Sequence, residues 1–172
     1  MKIKSIILSL VSSIGMLYAV NVGEFLPNIT LDKANGGDSA TQAWHSKSLK
    51  GKVHVLLYMD PDKREETMPF LDTLNQKRFD KKKYSTVAIV NLAATWMPDA
   101  VLETLLSKKQ QELNNTEFIF DKTKYLVKKW HLKDDASNVL VLNRQGKVLY
   151  CKSGKLSNKD IKEILNKIKN AK

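Results

Sequence analysis

Three stretches of this chain carry residue types that could do chemistry. The first is Asp60-Pro61-Asp62-Lys63-Arg64, two carboxylates and two cations within five positions. It follows the apolar run 53–59, so it would sit at the C-terminal edge of a sheet, where open α/β sheets bind ligands. A binding surface for a peptide or a cation is one reading. The other is ordinary helix-start chemistry, because Asp caps helices and Pro begins them. The second stretch is Trp130-His131-Leu132-Lys133-Asp134-Asp135. There His131 and Asp135 are ligand-binding candidates beside a Trp that could line a groove; alternatively Trp130 and Leu132 anchor the core and His131 is an exposed spacer. The third is Cys151, the only thiol, on an expected hairpin strand between Tyr150 and Lys152. It could form a mixed or intermolecular disulfide. Without a helix N-terminus or a His beside it in sequence, it also reads as a small, half-buried strand residue.

Several chemistries are excluded by count and spacing. One Cys rules out an intramolecular disulfide, a four-Cys zinc site and any Cys-x-x-Cys. Two Asp are too few for calcium, which takes six or more oxygens. His45, His54 and His131 have no ligand-like spacing, and His54 alternates within a buried strand, as a satisfied core histidine would. No Ser-His-Asp triad or phosphate loop is present. Neither metal nor cofactor is expected.

The net charge is +11, from 26 Lys and 3 Arg against 18 acidic residues. The lysines are spread along the chain, and Arg, the residue that reads bases and grips phosphates in pairs, is scarce. No helix-turn-helix, zinc finger or aromatic-basic motif appears. The expectation is a solvated lysine-rich surface, with weak contact to an anionic membrane surface or an acidic partner as the lesser reading. A nucleic-acid-binding regulator is suggested by charge alone, and no nucleic-acid partner is expected.

Hydrophobic patterning supplies the elements that must position these residues. Residues 23–31 read as an extended lead-in, and Asn35-Gly36-Gly37-Asp38 as a turn. Residues 53–59 and 86–92 are β-branched, nearly all-apolar runs, as in strands buried on both faces. Between them a helix is expected over 65–78, with Met68, Phe70, Leu71 and Leu74 apolar. Pro98-Asp99 opens a second helix with Val101, Leu102, Leu105 and Leu106 on one face. Short strands at 118–120 and 139–142 follow, separated by a short helix or loop over 126–132. Asn143-Arg144-Gln145-Gly146 turns the last strand into a hairpin with 147–152. Ser157 and Asp160 form a capping box before Ile161, Ile164, Leu165 and Ile168. Alternating strands and helices require parallel pairing, and the late hairpin adds antiparallel strands. The expected fold is α/β, a mixed sheet with helices on both faces.

The first 19 residues read as an address. Lys2 and Lys4 precede a mostly apolar run, and Ala19 offers a small residue for cleavage, the layout of a secretory signal peptide. Leu17 is larger than the residue usual at its place, so an uncleaved anchor is the alternative. Removing residues 1–19 would take away Lys2 and Lys4 and lower the charge from +11 to +9. Residues 20–172 would then form one domain, and the location would be periplasmic.

The ordered set Gly51-Lys52-Val53, Met68-Pro69, Phe120-Asp121, Trp130-His131-Leu132, residues 139–143, Gly146-Lys147-Val148 and Lys152-Ser153-Gly154-Lys155-Leu156 resembles an exported thioredoxin-like domain of the TlpA and peroxiredoxin type. More narrowly, Leu26-Pro27, Val90-Asn91, Trp130-x-Leu132-x-Asp134-Asp135 and the final Gly-Lys-Leu-Ser resemble the YtfJ family, small periplasmic proteins with a thioredoxin-like fold and no settled activity. The resemblance covers nearly all of residues 20–172. It implies a thioredoxin-like fold, but the chemistry departs from it. Counting back five residues from Pro69 puts Pro61-Asp62-Lys63-Arg64 where Cys-x-x-Cys would stand. A peroxiredoxin count from Pro61 meets Glu65 and Met68 instead of Thr and Cys. The proline usual before the later strand is replaced within Ala136-Ser137-Asn138-Val139. A thioredoxin needs a thiolate at a helix start and a second Cys to resolve the mixed disulfide. Ala94-Thr95-Trp96-Met97-Pro98-Asp99-Ala100 mimics a redox motif with both cysteines lost, but it falls after the second strand, which makes it a coincidence of turn residues. The expectation is therefore a non-catalytic binding or accessory protein, with a periplasmic protein or peptide as partner. The alternative is an oxidoreductase working through Cys151 alone.

Overall fold

A computed structural model describes residues 20–38, 42–113 and 115–171. The expected leader, residues 1–19, lies outside the described residues. Six strands form the central sheet: β2 (Gly36–Asp38), β4 (Val53–Met59), β5 (Tyr84–Asn91), β6 (Thr116–Asp121), β7 (Asn138–Leu142) and β8 (Val148–Ser153). Their order across the sheet is β2-β6-β5-β4-β7-β8. β4, β5 and β6 run parallel, and β2, β7 and β8 join antiparallel. The two remaining strands, β1 (Thr30–Leu31) and β3 (Trp44–His45), pair with each other beside it. The mixed α/β sheet is the one the sequence leads to.

β4 is central because nothing in it needs water: all seven of its residues are buried, with β5 on one side and β7 on the other. Its odd-numbered side chains, Val53, Val55, Leu57 and Met59, belong to a cluster with Phe70, Leu71, Leu102, Ile164 and Ile168. These come from helices α1 (Met68–Gln76), α2 (Asp99–Glu112) and α4 (Asn158–Asn170). Its even-numbered Leu56 and Tyr58 face a second cluster with Leu31, Trp44, Leu126 and Trp130, the last two from α3 (Tyr125–Trp130). Helices therefore cover both faces. The capping box of α4 forms as expected: Asp160 N–H donates to Ser157 Oγ at 3.2 Å, and Ser157 N–H to Asp160 Oδ2 at 2.7 Å. Lys152 and Tyr150 also donate to this carboxylate, which ties the helix start to β8 and holds the Asp160 carboxyl well below the usual range.

Three local expectations are corrected. The helix over 65–78 is shorter: a 3-10 turn spans Pro61–Glu66, and α1 starts only at Met68, because Lys63 and Thr67 leave helical geometry. In α2, Leu102 is buried and Leu106 half-buried, but Val101 and Leu105 are about half exposed (49% and 50%), so the apolar stripe is wider than the surface it covers. Gly36-Gly37 does not turn the chain; it starts edge strand β2, with Gly36 opposite Asp121 and Gly37 opposite Phe120. The reason is close approach. Gly36 has φ +121°, and a Cβ there would lie 1.9 Å from the Phe120 carbonyl oxygen. Only glycine fits both constraints. Gly36→Ala is expected to cost about 2–3 kcal/mol, read as a lower denaturant midpoint with an unchanged m-value.

Candidate functional site

The Asp60–Arg64 segment lies where the sequence places it, directly after β4 at the C-terminal edge of the parallel strands. Its residues have different tasks. Asp60 is buried, only 4% exposed, and its Oδ1 accepts from Asp62 N–H at 2.9 Å, which caps the 3-10 turn. Burial raises the Asp60 pKa, the Asp62 amide opposes this, and the Asp62 and Asp135 charges add to it. Asp62, Lys63 and Arg64 are exposed. They form no ion pair among the described residues, so their charges face solvent.

The segment before β7 closes the site from the other side. Asp60 N–H donates to Ser137 Oγ at 3.4 Å, and Ser137 N–H donates to Glu66 Oε2 at 2.9 Å. Asn138 is saturated: its Oδ1 accepts from Lys133 N–H and Ser153 Oγ, and its Nδ2 donates to the Lys133 and Ala136 carbonyls. Such a network fixes the loop rigidly against the turn. Two buried polar atoms near this edge have no partner among the described residues, Thr67 Oγ1 just before α1 and Asn91 Oδ1 at the end of β5.

The second stretch divides. Asp135 interacts electrostatically with Asp60 and lies 3.7 Å from Lys124 Nζ, which also binds Asp134 at 2.9 Å. Trp130 is fully buried, and its Nε1–H donates to the Pro27 carbonyl at 3.0 Å; Leu132 is buried as well. His131 between them is exposed and left-handed (φ +50°), and it ends α3. It makes no hydrogen bond to the Asp60 turn. The core-anchor reading of Trp130 and Leu132 holds.

Cys151 is half-buried on β8, opposite Leu140. Burial raises its thiol pKa, which disfavours the reactive thiolate. No metal-ligating group of three or more His, Cys, Asp or Glu occurs among the described residues. His54 is a satisfied core histidine: it is 5% exposed, and its Nδ1–H donates to the Lys52 carbonyl at 3.1 Å. Burial, foremost, lowers its pKa from 6.5 to about 4. Between those values the unfolded chain binds more protons than the native one, so this contribution is complete above pH 6.5 and is lost as the pH falls towards 4. The loss should reach at most about 3 kcal/mol. Urea unfolding at several pH values in that window should show a steeper loss for the wild type than for His54→Gln; equal slopes would contradict it.

Sequence reasoning missed Trp96. It is 88% exposed, two residues beyond the Leu92–Ala94 turn, which packs against the Pro61–Glu66 turn. The edge that presents Asp62, Lys63 and Arg64 thus also presents a bare indole. The signal was the Thr-Trp-Met-Pro sequence after a buried strand: a loop Trp with no apolar period has no core face to join.

Comparison with known proteins agrees with this geometry. A thiol-disulfide isomerase from Corynebacterium glutamicum superposes with TM-score 0.64 at 13% identity, over 87% of this chain and 98% of that one. A peroxiredoxin-like protein from Aquifex aeolicus gives 0.62 at 14%, over 88% and 87%. At such identities these likenesses show the thioredoxin-like fold. An uncharacterised protein of Haemophilus influenzae is 29% identical over 140 residues, 77% of this chain and 73% of its own length. The uncharacterised YtfJ of Escherichia coli is 23% identical over 133 residues, 73% of this chain and 70% of its own length. Residues 20–171 match the family described as bacterial protein of unknown function (YtfJ_HI0045), and the thioredoxin-like chain with its single cysteine belongs to that family.

Proposed function

We propose that this protein is an exported, non-catalytic binding protein that uses the thioredoxin site as a docking surface for a segment of another protein. The observation that carries the reading is the composition of the sheet edge after β4. Where thiol chemistry needs a low-pKa Cys at a helix start, this chain has the exposed Asp62, Lys63 and Arg64, with the exposed Trp96 on the adjoining turn. Exposed charges of both signs beside an aromatic suit recognition of a polypeptide, because aromatic and Arg side chains dominate the energetics of such contacts. The rigid Asp60–Ser137–Glu66 network beneath would preorganise the surface and reduce the ordering cost of binding. Export rests on the leader-like residues 1–19, and the periplasm is the expected compartment.

Photo-crosslinking residues placed at positions 62 and 96 in living cells test the reading. Discrete protein adducts are expected from both positions and not from position 145, which lies exposed in the β7–β8 hairpin at the opposite end of the sheet. Adducts equal at all three positions, or none, would remove the docking surface. In parallel, insulin-reduction and peroxide-consumption assays should show no turnover; an activity abolished by Cys151→Ser would establish single-thiol catalysis instead.

A further inference from the structure

The opposite edge of the sheet holds a cavity that the docking surface does not use. It encloses about 370 Å³, within the range of small-molecule sites, where α1 ends and β5 begins. One wall is apolar: Leu74 and the tilted ring pair Phe79–Tyr84, with centroids 4.7 Å apart. Tyr84 and Thr86 also line it; both residues are buried (4% and 2% exposed), and their hydroxyls lie 2.6 Å from each other. The Asn115 side-chain amide holds the Tyr84 carbonyl at 2.9 Å, so this wall is fixed by the backbone. At the mouth stand Arg78 and Lys81, both exposed and neither in an ion pair among the described residues.

Counting protons shows what the cavity lacks. Each hydroxyl carries one proton and can accept as well. One of the two protons lies in the Tyr84–Thr86 bond, whichever group donates. The other is a buried O–H with no second acceptor within hydrogen-bond distance among the described residues. Burial raises the Tyr84 pKa further above its ordinary value, so the phenol stays protonated and the spare proton persists. Buried donors are ordinarily paired. Here the missing partner is a hydrogen-bond acceptor, two unneutralised cations favour a negative one, and the apolar wall favours a hydrocarbon body behind it.

We propose that this cavity binds a small monocarboxylic acid with an apolar tail or ring: the carboxylate accepts the spare Tyr84/Thr86 proton and faces Arg78 and Lys81, and the hydrocarbon packs on Leu74 and Phe79. An inorganic anion would leave the apolar wall uncovered, and a neutral alcohol would leave the cations unpaired. The site is independent of the docking surface, and either can fail alone.

Titration of the full-length protein with octanoate and with 3-phenylpropionate, followed by amide NMR, tests the proposal. Saturable shifts are expected at Phe79, Tyr84 and Thr86, with a dissociation constant near or below about 1 mM. Octanol, matched in length, should bind about tenfold more weakly. Arg78→Ala combined with Lys81→Ala, both on the surface and safe for folding, should weaken octanoate about tenfold. Tyr84→Phe combined with Thr86→Val removes both hydroxyls and should do the same; changing one alone leaves a donor behind. Octanoate and phenylpropionate shifts that never saturate, octanol binding as tightly as octanoate, undiminished binding by the charge variant, or inorganic phosphate competing equally at the same amides would each overturn it.

Discussion

Asp121→Ala is expected to destabilise the native state by about 3–5 kcal/mol, the range for breaking a buried charge network. The carboxylate ends β6 with no exposure at all and accepts four hydrogen bonds. Oδ1 takes the Thr123 and Tyr125 amides at 3.1 and 2.8 Å; Oδ2 takes the Leu126 amide at 2.8 Å and the Tyr58 hydroxyl at 3.1 Å. Asp121 therefore supplies the acceptors for the start of α3 that no conventional cap provides, because the side chain of Lys124 at the capping position makes no capping hydrogen bond. Alanine would leave the Tyr58 hydroxyl and three amides buried or half-buried without their acceptor, and each orphaned donor costs about 1–3 kcal/mol before relaxation. Burial, the first cause, and then Asp121 raise the Tyr58 pKa, so the phenol stays a neutral donor and the pair survives well into alkaline pH. Asp121→Asn keeps the shape and part of the acceptor capacity and should lose less. A double-mutant cycle with Tyr58→Phe should give a coupling of about 1–2 kcal/mol. Thermal and urea unfolding measure all of these; an Asp121→Ala loss below about 1 kcal/mol would show that water can replace the carboxylate.

Trp130→Ala should cost a similar 3–5 kcal/mol, whereas its neighbour His131→Ala should stay within about 0.5 kcal/mol. The contrast is between a side chain with no exposure, packed with Leu126, Leu56 and Tyr58 against the sheet and bonded to Pro27, and one that points its ring to solvent. Deleting the indole leaves a cavity and removes the shorter of two bonds to the Pro27 carbonyl, the one that anchors the N-terminal lead-in to α3, leaving only Ser46 Oγ at 3.4 Å. Trp130→Phe should recover most of the packing but not the hydrogen bond. At His131 the backbone is left-handed, φ +50°, so His131→Gly should be neutral or slightly stabilising. Equal losses for Trp130→Ala and His131→Ala would show that His131 carries a structural contact of its own.

Local signals made much of this molecule legible. β4 spans Val53–Met59, the nearly all-apolar run itself, because a fully buried strand needs apolar side chains on both faces and a seven-residue run interrupted only by His54 has no helical alternative of adequate length. The Ser157–Asp160 cap and the Ile164 and Ile168 stripe of α4 were equally plain, since a cap and a helical period act within one or two turns. The count of thiols settled what the edge after β4 cannot do, for no tertiary arrangement supplies a missing cysteine. Other features depended on partners far away in the chain. Gly36-Gly37 has the composition of a turn and becomes a strand because the Phe120 carbonyl comes so near. Val101 and Leu105 have the period of a buried face, yet about half of each remains exposed on α2. Asp60 and Asp62 are alike in sequence; the fold buries the first as a cap and leaves the second to solvent. The cavity joins residues 74–86 with 115 and 116, which meet only when β5 and β6 pair. Pattern along a chain records which residues prefer to leave water or begin a helix; which of them find cover, and which remain facing a ligand, is decided by the limited area of the surfaces that the fold brings together.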